Sequence, residues 1–336
     1  MQKTTTIPFC DLSRAYAPLQ DEILEAIKAC IERSSYLRGP ATVAFEEAWA
    51  AYCGQPYAVC CNSGTDALTL AALVLGMQQV AVQSNTLPLT AIGLHRGGAE
   101  VHLVDINAGG WPLETAMESV PVLIYGQIPT DTSVSRLYDA AHAHGWQPPF
   151  GSSAAWSFYP TKTLGAMGDA GAITTHDRYF ADELRRLCGR DDKFYNGRQL
   201  TSRIDEIQAA ILLVKLKYLN GWLEERQQIG SHYDRRLGPL GICLNANSLH
   251  HLYVIKTPGR ADLARHLSVH GIQTKIHWET PLHQLPGPWQ AVGSFSESEH
   301  WCNSVLSLPC YPGLTHTEVD FICSTIEAWF EDRVKD

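Results

Sequence analysis

Lys162 has the most distinctive chemistry in this sequence. It follows an aromatic run, Trp156–Tyr159, and Pro160, and it precedes glycines at positions 165, 168 and 171. The run is rich in β-forming residues and ends at the proline, which predicts a strand or strand edge entering a loop. On a pocket floor, loss of water would lower the pKa of this amine and make it a nucleophile toward carbonyl carbon. Taken alone, a lysine in a solvated loop is the simpler interpretation.

A second group of polar residues, Ser63-Gly64-Thr65, lies between two apolar stretches. Tyr57–Cys61 precedes it and is typical of a short buried strand, and Ala67–Leu75 follows it and is typical of a helix. Backbone N–H groups, two hydroxyls and the positive helix end would meet there, which suits an anion such as phosphate. An ordinary helix cap explains the same residues equally well.

The middle of the chain predicts a sheet that brings such residues together. Apolar strands are predicted at 80–83, 101–106, 121–125 and 134–138, with a helix at 90–95. Strands that alternate with helices indicate an α/β fold whose mostly parallel sheet is covered on both faces. Ligands bind beyond the carboxyl ends of such strands. Asp105, Gln127, Asp139 and Lys162, with the Ser-Gly-Thr turn, are therefore expected at one edge.

Two domains are predicted. Helices are expected at 11–35, 42–52, 204–219 and 222–236, and Gly238-Pro-Leu-Gly241 then marks a boundary. Residues 1–237 would form a large domain. Residues 238–336 would form a small C-terminal α+β domain with a strand at 251–255 and helices at 261–270 and 318–330.

Composition excludes several classes of protein. The 336 residues are 45% hydrophobic and 18% charged with a formal charge of −9, which is typical of a globular protein. No basic run offers a nucleic-acid site, and no apolar run is long enough for a membrane span. Ten cysteines are scattered without Cys-x-x-Cys spacing, and the N-terminal residues lack a leader pattern. We expect a cytoplasmic protein without a metal site.

The candidate residues match the needs of one cofactor, pyridoxal 5′-phosphate. It requires a lysine for its aldehyde, donors for its phosphate, a carboxylate for its ring nitrogen and a donor for its 3′-oxygen. Lys162, the Ser63–Thr65 turn, Asp139 and His142 could fill these roles in turn. Ser157, five residues before Lys162, could add a hydroxyl to the phosphate site.

Nine motifs in a fixed order carry a resemblance to a known family. They are Ser-Gly-Thr-Asp-Ala-Leu (63–68), Val-Asp-Ile (104–106), Tyr-Gly-Gln (125–127), Asp-Ala-Ala-His-Ala-His-Gly (139–145), Ser-Phe-Tyr-Pro-Thr-Lys-Thr-Leu-Gly (157–165), Gly-Asp-Ala-Gly-Ala-Ile (168–173), Ser-Arg-Ile-Asp-Glu-Ile-Gln-Ala-Ala-Ile-Leu (202–212), Pro-Leu-His (281–283) and Ser-Leu-Pro-Cys-Tyr-Pro-Gly-Leu-Thr (307–315). With these motifs the chain resembles, over nearly its whole length, the DegT/DnrJ/EryC1/StrS family of pyridoxal-phosphate-dependent nucleotide-sugar aminotransferases.

The resemblance implies a fold-type I aminotransferase that works as a homodimer with shared active sites. It implies transfer of an amino group from L-glutamate to a nucleotide-linked 3-keto or 4-keto deoxyhexose. Lys162 would hold the cofactor and move the proton, Asp139 would keep the pyridine nitrogen charged, and His142 would contact the 3′-oxygen. Two further site positions follow from the family pattern: Leu87 stands where an aromatic ring usually stacks on the cofactor, and Thr201 where a partner-subunit asparagine usually reaches the phosphate.

Departures from the family pattern leave two other functions open. The segments between Gln127 and Asp139, after Gly145 and before Thr201 are short, and Leu87 would cost about 0.5–1.5 kcal/mol of stacking. Loop compression makes Asp131 a competitor for the ring nitrogen. A sugar dehydratase of the same family is one alternative, against which Lys162 argues because those enzymes lack the lysine. A degenerate regulatory member is the other.

Overall fold

The structure, a computed structural model, describes residues 6–130, 135–190, 198–244, 247–291 and 293–334. Asp131 and part of the strand predicted at 134–138 therefore lie outside the described residues. The strands are β1 (Tyr57–Cys61), β2 (Gln79–Gln83), β3 (Glu100–Val104), β4 (Glu118–Ser119), β5 (Leu137–Asp139), β6 (Ser153–Ser157), β7 (Gly171–Thr175), β8 (Tyr253–Lys256), β9 (Trp289–Ala291) and β10 (Val305–Leu308).

A large sheet forms the centre of the molecule. One part has the order β1-β7-β6-β5 and the other β4-β2-β3-β9, and residues 120–123 join them. Val120 N donates to Ala81 O at 3.0 Å on one side, and Asp139 N donates to Pro121 O at 3.0 Å on the other. Within the described sheet, β7 alone runs antiparallel to its neighbours. The predicted α/β fold with a mostly parallel sheet is confirmed.

The helices pack on both faces of this sheet and around the C-terminal strands. They are α1 (Leu12–Tyr16), α2 (Gln20–Glu32), α3 (Pro40–Tyr52), α4 (Gly64–Leu75), α5 (Pro88–Arg96), α6 (Arg178–Arg185), α7 (Glu206–Leu216), α8 (Leu219–Leu237), α9 (Arg260–Val269), α10 (Ser296–Ser304) and α11 (His316–Val334). The single helix predicted at 11–35 is wrong. A 3-10 turn containing Pro18 separates α1 from α2, because proline has no N–H to continue the α-helical pattern.

The strand predicted at 121–125 is also wrong. Val122 makes one bridge, to Asp139, and the chain then turns through Ile124–Gly126. Tyr125 and Gly126 have φ values of +61° and +93°. A Cβ on Gly126 would lie 3.0 Å from the backbone nitrogen of His251, so glycine permits both the turn and this close approach.

Three hydrophobic cores stabilise the fold. Two lie on opposite sides of the large sheet, and the third surrounds the antiparallel pair β8 and β10 with α9 and α11. Ile229, Tyr233 and Leu237 of α8 belong to the third core. The predicted domain boundary between 237 and 238 stays a prediction. Among the described residues, the helices are all too short or too polar to cross a membrane.

Candidate active site

One cavity collects most of the predicted site residues. It has a volume of about 280 Å³ and opens beyond the carboxyl ends of β5 and β6, beside the start of α4. Eight of the nine predicted residues line it: Ser63, Gly64, Thr65, Leu87, Asp139, His142, Ser157 and Lys162. A single concave site that collects residues from distant parts of the chain is the usual form of an active site.

Aromatic packing positions the segment that carries Lys162. Trp156 and Phe158 pack edge-on against Trp49 of α3, with ring centroids 5.1 and 5.2 Å apart. All three rings are buried, and burying each contributes roughly 1.5–3 kcal/mol. At Gly165 the loop folds back so closely that a Cβ would lie 2.3 Å from Pro160 O. The loop after β6 is thereby fixed.

Helix α7 contacts the same loop through two side chains. Gln208 Oε1 accepts a hydrogen bond from Met167 N at 2.8 Å, and Lys215 Nζ donates to Gly165 O at 2.7 Å. Lys215 is fully buried, and its ammonium lies 3.4 Å from the centroid of the Tyr16 ring. Gly165 and Met167 of the glycine-rich loop therefore both have side-chain partners on one helix.

Burial changes the acidity of Lys162. Burial lowers the pKa of its amine to about 8, while the nearby Asp139 carboxylate opposes part of that shift. A charge is costly in a low-dielectric site, so burial raises the neutral fraction of the amine above that of an ordinary lysine. The lowered pKa agrees with the chemistry expected from the sequence.

Asp139 lies at the end of β5 and is buried. Its Oδ2 accepts from Thr90 Oγ1 at 2.7 Å, and its Oδ1 accepts from Ala141 N at 3.1 Å. Burial raises the pKa of Asp139, whereas these two hydrogen bonds and the positive charge of Lys162 act in the opposite direction. A cationic ring nitrogen beside this carboxylate would offset the cost of its burial.

The proton position on His142 follows from its contacts. Its Nδ1 accepts a hydrogen bond from Tyr125 N at 3.2 Å, so the proton of the neutral ring is on Nε2. Burial, with a smaller effect of Lys162, holds the pKa of His142 well below its usual value. A neutral ring with a proton on Nε2 can donate a hydrogen bond to a negatively charged oxygen in the cavity.

The residues predicted to bind an anion lie at the start of α4. Gly64 N and Thr65 N lie in the first turn, where N–H groups have no acceptor within the helix. A Cβ added to Gly64 would lie 2.8 Å from Ser157 Cβ, and a Cβ added to Gly171 would lie 2.3 Å from the carbonyl carbon of Ser63. The turn is therefore held against β6 and β7. Ser63 caps α4, because its Oγ accepts from Asp66 N at 3.1 Å, which confirms the helix-cap interpretation of this hydroxyl, while its role in anion binding stays a prediction.

Two residues that the sequence placed at this edge, Asp105 and Gln127, contact other parts of the fold instead. Asp105 caps α10, since its carboxylate accepts from Glu297 N at 3.0 Å and Ser298 N at 2.7 Å. The Gln127 amide points toward Leu244 O, at 3.5 Å. Thr201, which the family pattern assigns to the phosphate site of the partner subunit, is exposed and lies outside the cavity lining that the described residues of its own chain form. The adjacent Ser202 binds Asp66 and Asn62. Fewer polar residues from strand ends therefore line the cavity than the sequence predicted.

The cavity also contains residues that sequence reasoning missed. Thr90 lies in the first turn of α5, which follows β2, so attention to the segment beyond that strand end could have found it. Trp278 lines the cavity from the C-terminal half, and no local pattern marks it. In the part of the chain that the structure describes, His, Cys, Asp and Glu form no group of three or more that could hold a metal.

Fold and site together define a class: α/β enzymes in which a low-pKa lysine and a buried carboxylate share one cavity with an anion site. The model of the DegT/DnrJ/EryC1/StrS aminotransferase family matches residues 18–327. The chain belongs to this family, as its motifs indicated.

Relatives and solved structures agree over nearly the whole chain. It is 36% identical to the erythromycin biosynthesis sensory transduction protein EryC1 of Saccharopolyspora erythraea, covering 96% of this chain and 99% of the relative. It is 34% identical to the dTDP-3-amino-3,4,6-trideoxy-alpha-D-glucose transaminase of Streptomyces venezuelae, covering 98% and 97%. The crystal structure of S. venezuelae DesV with a ketimine intermediate superposes with a TM-score of 0.89 at 31% identity, covering 96% of this chain and 98% of that one.

Proposed function

We propose that this protein is a pyridoxal-phosphate-dependent aminotransferase that moves an amino group from L-glutamate to a nucleotide-linked keto sugar. The observation that carries the proposal is the meeting of Lys162, Asp139, His142 and the start of α4 in one cavity. The relative from S. venezuelae is named as a transaminase of a dTDP-linked trideoxy sugar, which supports a deoxyhexose as the substrate here.

The residues of the cavity fit pyridoxal phosphate. When bound, the cofactor supplies an aldehyde that takes up the amino group and a ring that withdraws electrons. Asp139 would hold a proton on the ring nitrogen, and His142 Nε2–H would donate to the 3′-oxygen. The first turn of α4 and the Ser157 hydroxyl would bind the phosphate. Leu87 lines the same cavity and supplies an apolar contact without an aromatic ring.

Lys162 would do two tasks in turn. Its amine would bind the cofactor aldehyde at rest and, once released, would remove the proton from the α-carbon of the amino donor. A pKa of about 8 suits both tasks, because a useful fraction of the amine is neutral at physiological pH. A sugar dehydratase would not need this lysine, so Lys162 favours transamination.

The active unit would be a homodimer in the cytoplasm. Tyr36, Leu37 and Val43 are large apolar side chains exposed near the start of α3, which supports a subunit contact there. Thr201, exposed beside the buried Ser202, would reach the phosphate site of the partner subunit. None of the ten cysteines, all of which the structure describes, forms a disulfide, as expected in a reducing compartment.

The decisive experiment is a spectroscopic titration followed by a substrate panel. Purified protein loaded with pyridoxal phosphate should show a visible absorbance band that disappears with L-glutamate. Borohydride reduction and peptide mapping should place the cofactor on Lys162, and Lys162→Ala should lose both signals and turnover. Nucleotide-linked 3-keto and 4-keto deoxyhexoses should then restore the band.

Two outcomes would replace the proposal. A band that forms but does not respond to glutamate would indicate a regulatory member of the family. Loss of a sugar hydroxyl without net amine transfer would indicate a dehydratase. A label on a lysine other than Lys162 would contradict the assignment of the site.

A further inference from the structure

His251 is a buried histidine that the proposed function leaves without a role. Three hydrogen bonds hold the backbone of His251 and its neighbours. Leu249 N donates to Gly126 O at 2.8 Å and Leu252 N donates to Tyr125 O at 3.1 Å, so the segment pairs with the turn after Val122. Arg226 Nη1 donates to His251 O at 3.0 Å. A side chain anchored in this way has a defined direction.

The His251 side chain contacts two parts of the site, namely His142 and the loop that carries Lys162. The His251 ring lies 4.4 Å from the His142 ring, centroid to centroid, at an angle of 39°. Its Nδ1 lies 3.4 Å from the hydroxyl of Thr163, the buried residue that follows Lys162. One imidazole from the C-terminal half thus links His142 on one segment with the Lys162 loop on another.

His142 also has a second aromatic neighbour. Trp278 lies parallel to it, with an angle of 10° and ring centroids 5.9 Å apart. The orientation of His142 matters because its Nδ1 must face Tyr125 N to keep the proton on Nε2. A rotated ring would lose this hydrogen bond and present a different nitrogen to the cavity.

His251 can hold the His142 ring in this orientation without adding a positive charge to the site. Burial, followed by the effects of His142, Lys162, Arg226 and His144, holds the pKa of His251 well below its usual value. A neutral ring beside Lys162 leaves the lowered pKa of that amine intact, whereas a second cation would compete with it.

We propose that His251 is a positioning residue that keeps His142 in the orientation with its proton on Nε2 and fixes Thr163 beside Lys162. Its importance for catalysis rests on the proposed function, but the orientation of His142 can be measured without any reaction. A functional group keeps its productive geometry when neighbouring side chains lock its conformation by packing.

The first test uses the full-length protein without cofactor. Long-range proton–nitrogen NMR spectra of protein labelled with 15N-histidine report which ring nitrogen carries the proton, and His142→Gln assigns the signal. We expect His142 to be protonated on Nε2 alone in the wild type, and a mixture of both forms in His251→Leu. His102→Leu is the matched control, because His102 is buried on β3 and neither ring nitrogen has a hydrogen bond. It should leave the His142 signal unchanged.

The second test uses the loaded enzyme. His251→Leu should retain cofactor, lower kcat about tenfold and change the KM for glutamate by less than about twofold. The pH midpoint of the visible band should also shift. His251→Asn, which keeps a polar group near Thr163, should recover part of each change, and it serves as the test variant if His251→Leu does not fold.

The results separate two failures. If His251→Leu lowers Tm while the His142 tautomer and the pH midpoint stay as in the wild type, His251 only fills the core and the inference is overturned. If the tautomer shifts as expected but the wild type has no transaminase activity, the proposed function fails and the positioning role stands.

Discussion

Replacing Glu206 by glutamine should destabilise this protein strongly, although the change is conservative in shape. Glu206 begins α7 and is fully buried. Its Oε2 accepts from Gly39 N at 2.9 Å, Thr42 N at 3.1 Å and Thr42 Oγ1 at 2.6 Å, and its Oε1 accepts from Ala41 N at 2.6 Å. One carboxylate on α7 therefore satisfies the first turn of α3.

The size of the effect follows from these four hydrogen bonds. Glutamine keeps one oxygen, so if it takes the Oε2 position its NH₂ group faces Ala41 N–H and leaves a buried donor unpaired, at a cost of about 1–3 kcal/mol. The three remaining hydrogen bonds lose their charge assistance, roughly 1 kcal/mol each. The helix N-terminus loses a favourable negative charge worth about 0.5 kcal/mol. The expected loss is about 5 kcal/mol.

Thermal unfolding followed by circular dichroism measures this loss. An unfolding entropy near 2.1 cal/mol/K per residue gives about 0.7 kcal/mol/K for this chain, so Glu206→Gln should lower Tm by about 7 °C. Glu47→Gln, an exposed change on α3, is the matched control and should shift Tm by less than about 1 °C. A Glu206→Gln shift below about 2 °C would refute the assignment of these four hydrogen bonds as a main anchor of α3.

Three further predictions concern the site. In cofactor-free protein, the rate of Lys162 acetylation followed by mass spectrometry should rise with a midpoint near pH 8, because burial lowers its pKa to about 8; a midpoint near pH 10.5 would contradict that burial effect. Asp139→Asn should still bind cofactor on Lys162 but slow proton transfer in stopped-flow assays by several orders of magnitude, whereas Asp131→Asn should be nearly silent. The reverse result would show that a different carboxylate holds the ring nitrogen. Mixing inactive Lys162→Ala with a disabled Thr201 variant should restore activity in hybrid dimers, and no recovery after verified subunit exchange would count against a shared site.

The parts of the site that sequence predicted are those with strong local patterns. The Ser63–Thr65 turn stands between a buried strand and a helix, and Lys162 stands between aromatic residues and glycines. In both places local backbone preference and the final structure agree. The mostly parallel sheet was predictable for the same reason, since its strands are continuous apolar runs between helices.

Long-range contacts account for most of what sequence did not predict. Asp105 follows a strand as predicted, but it binds two N–H groups almost two hundred residues further along the chain. His251 and Trp278 reach His142 from the C-terminal half, and nothing in their local sequence marks that contact. The helix break at Pro18 was missed although its signal is local. The apolar repeat of α2 favoured one continuous helix, whereas the proline that precedes α2 indicates a break.

The burial of two amines gives the folding of this protein an unusual proton balance. Burial lowers the pKa of both Lys162 and Lys215 to about 8, whereas an unfolded lysine has a pKa of about 10.4. Between these values the unfolded chain binds more protons, so stability from this source rises with pH through that window and falls away as pH drops toward 8. Refolding near pH 9 should therefore release protons into the solution. The heat of refolding measured by calorimetry would then depend on the ionisation enthalpy of the buffer, and attaching cofactor to Lys162 would remove one of the two contributions.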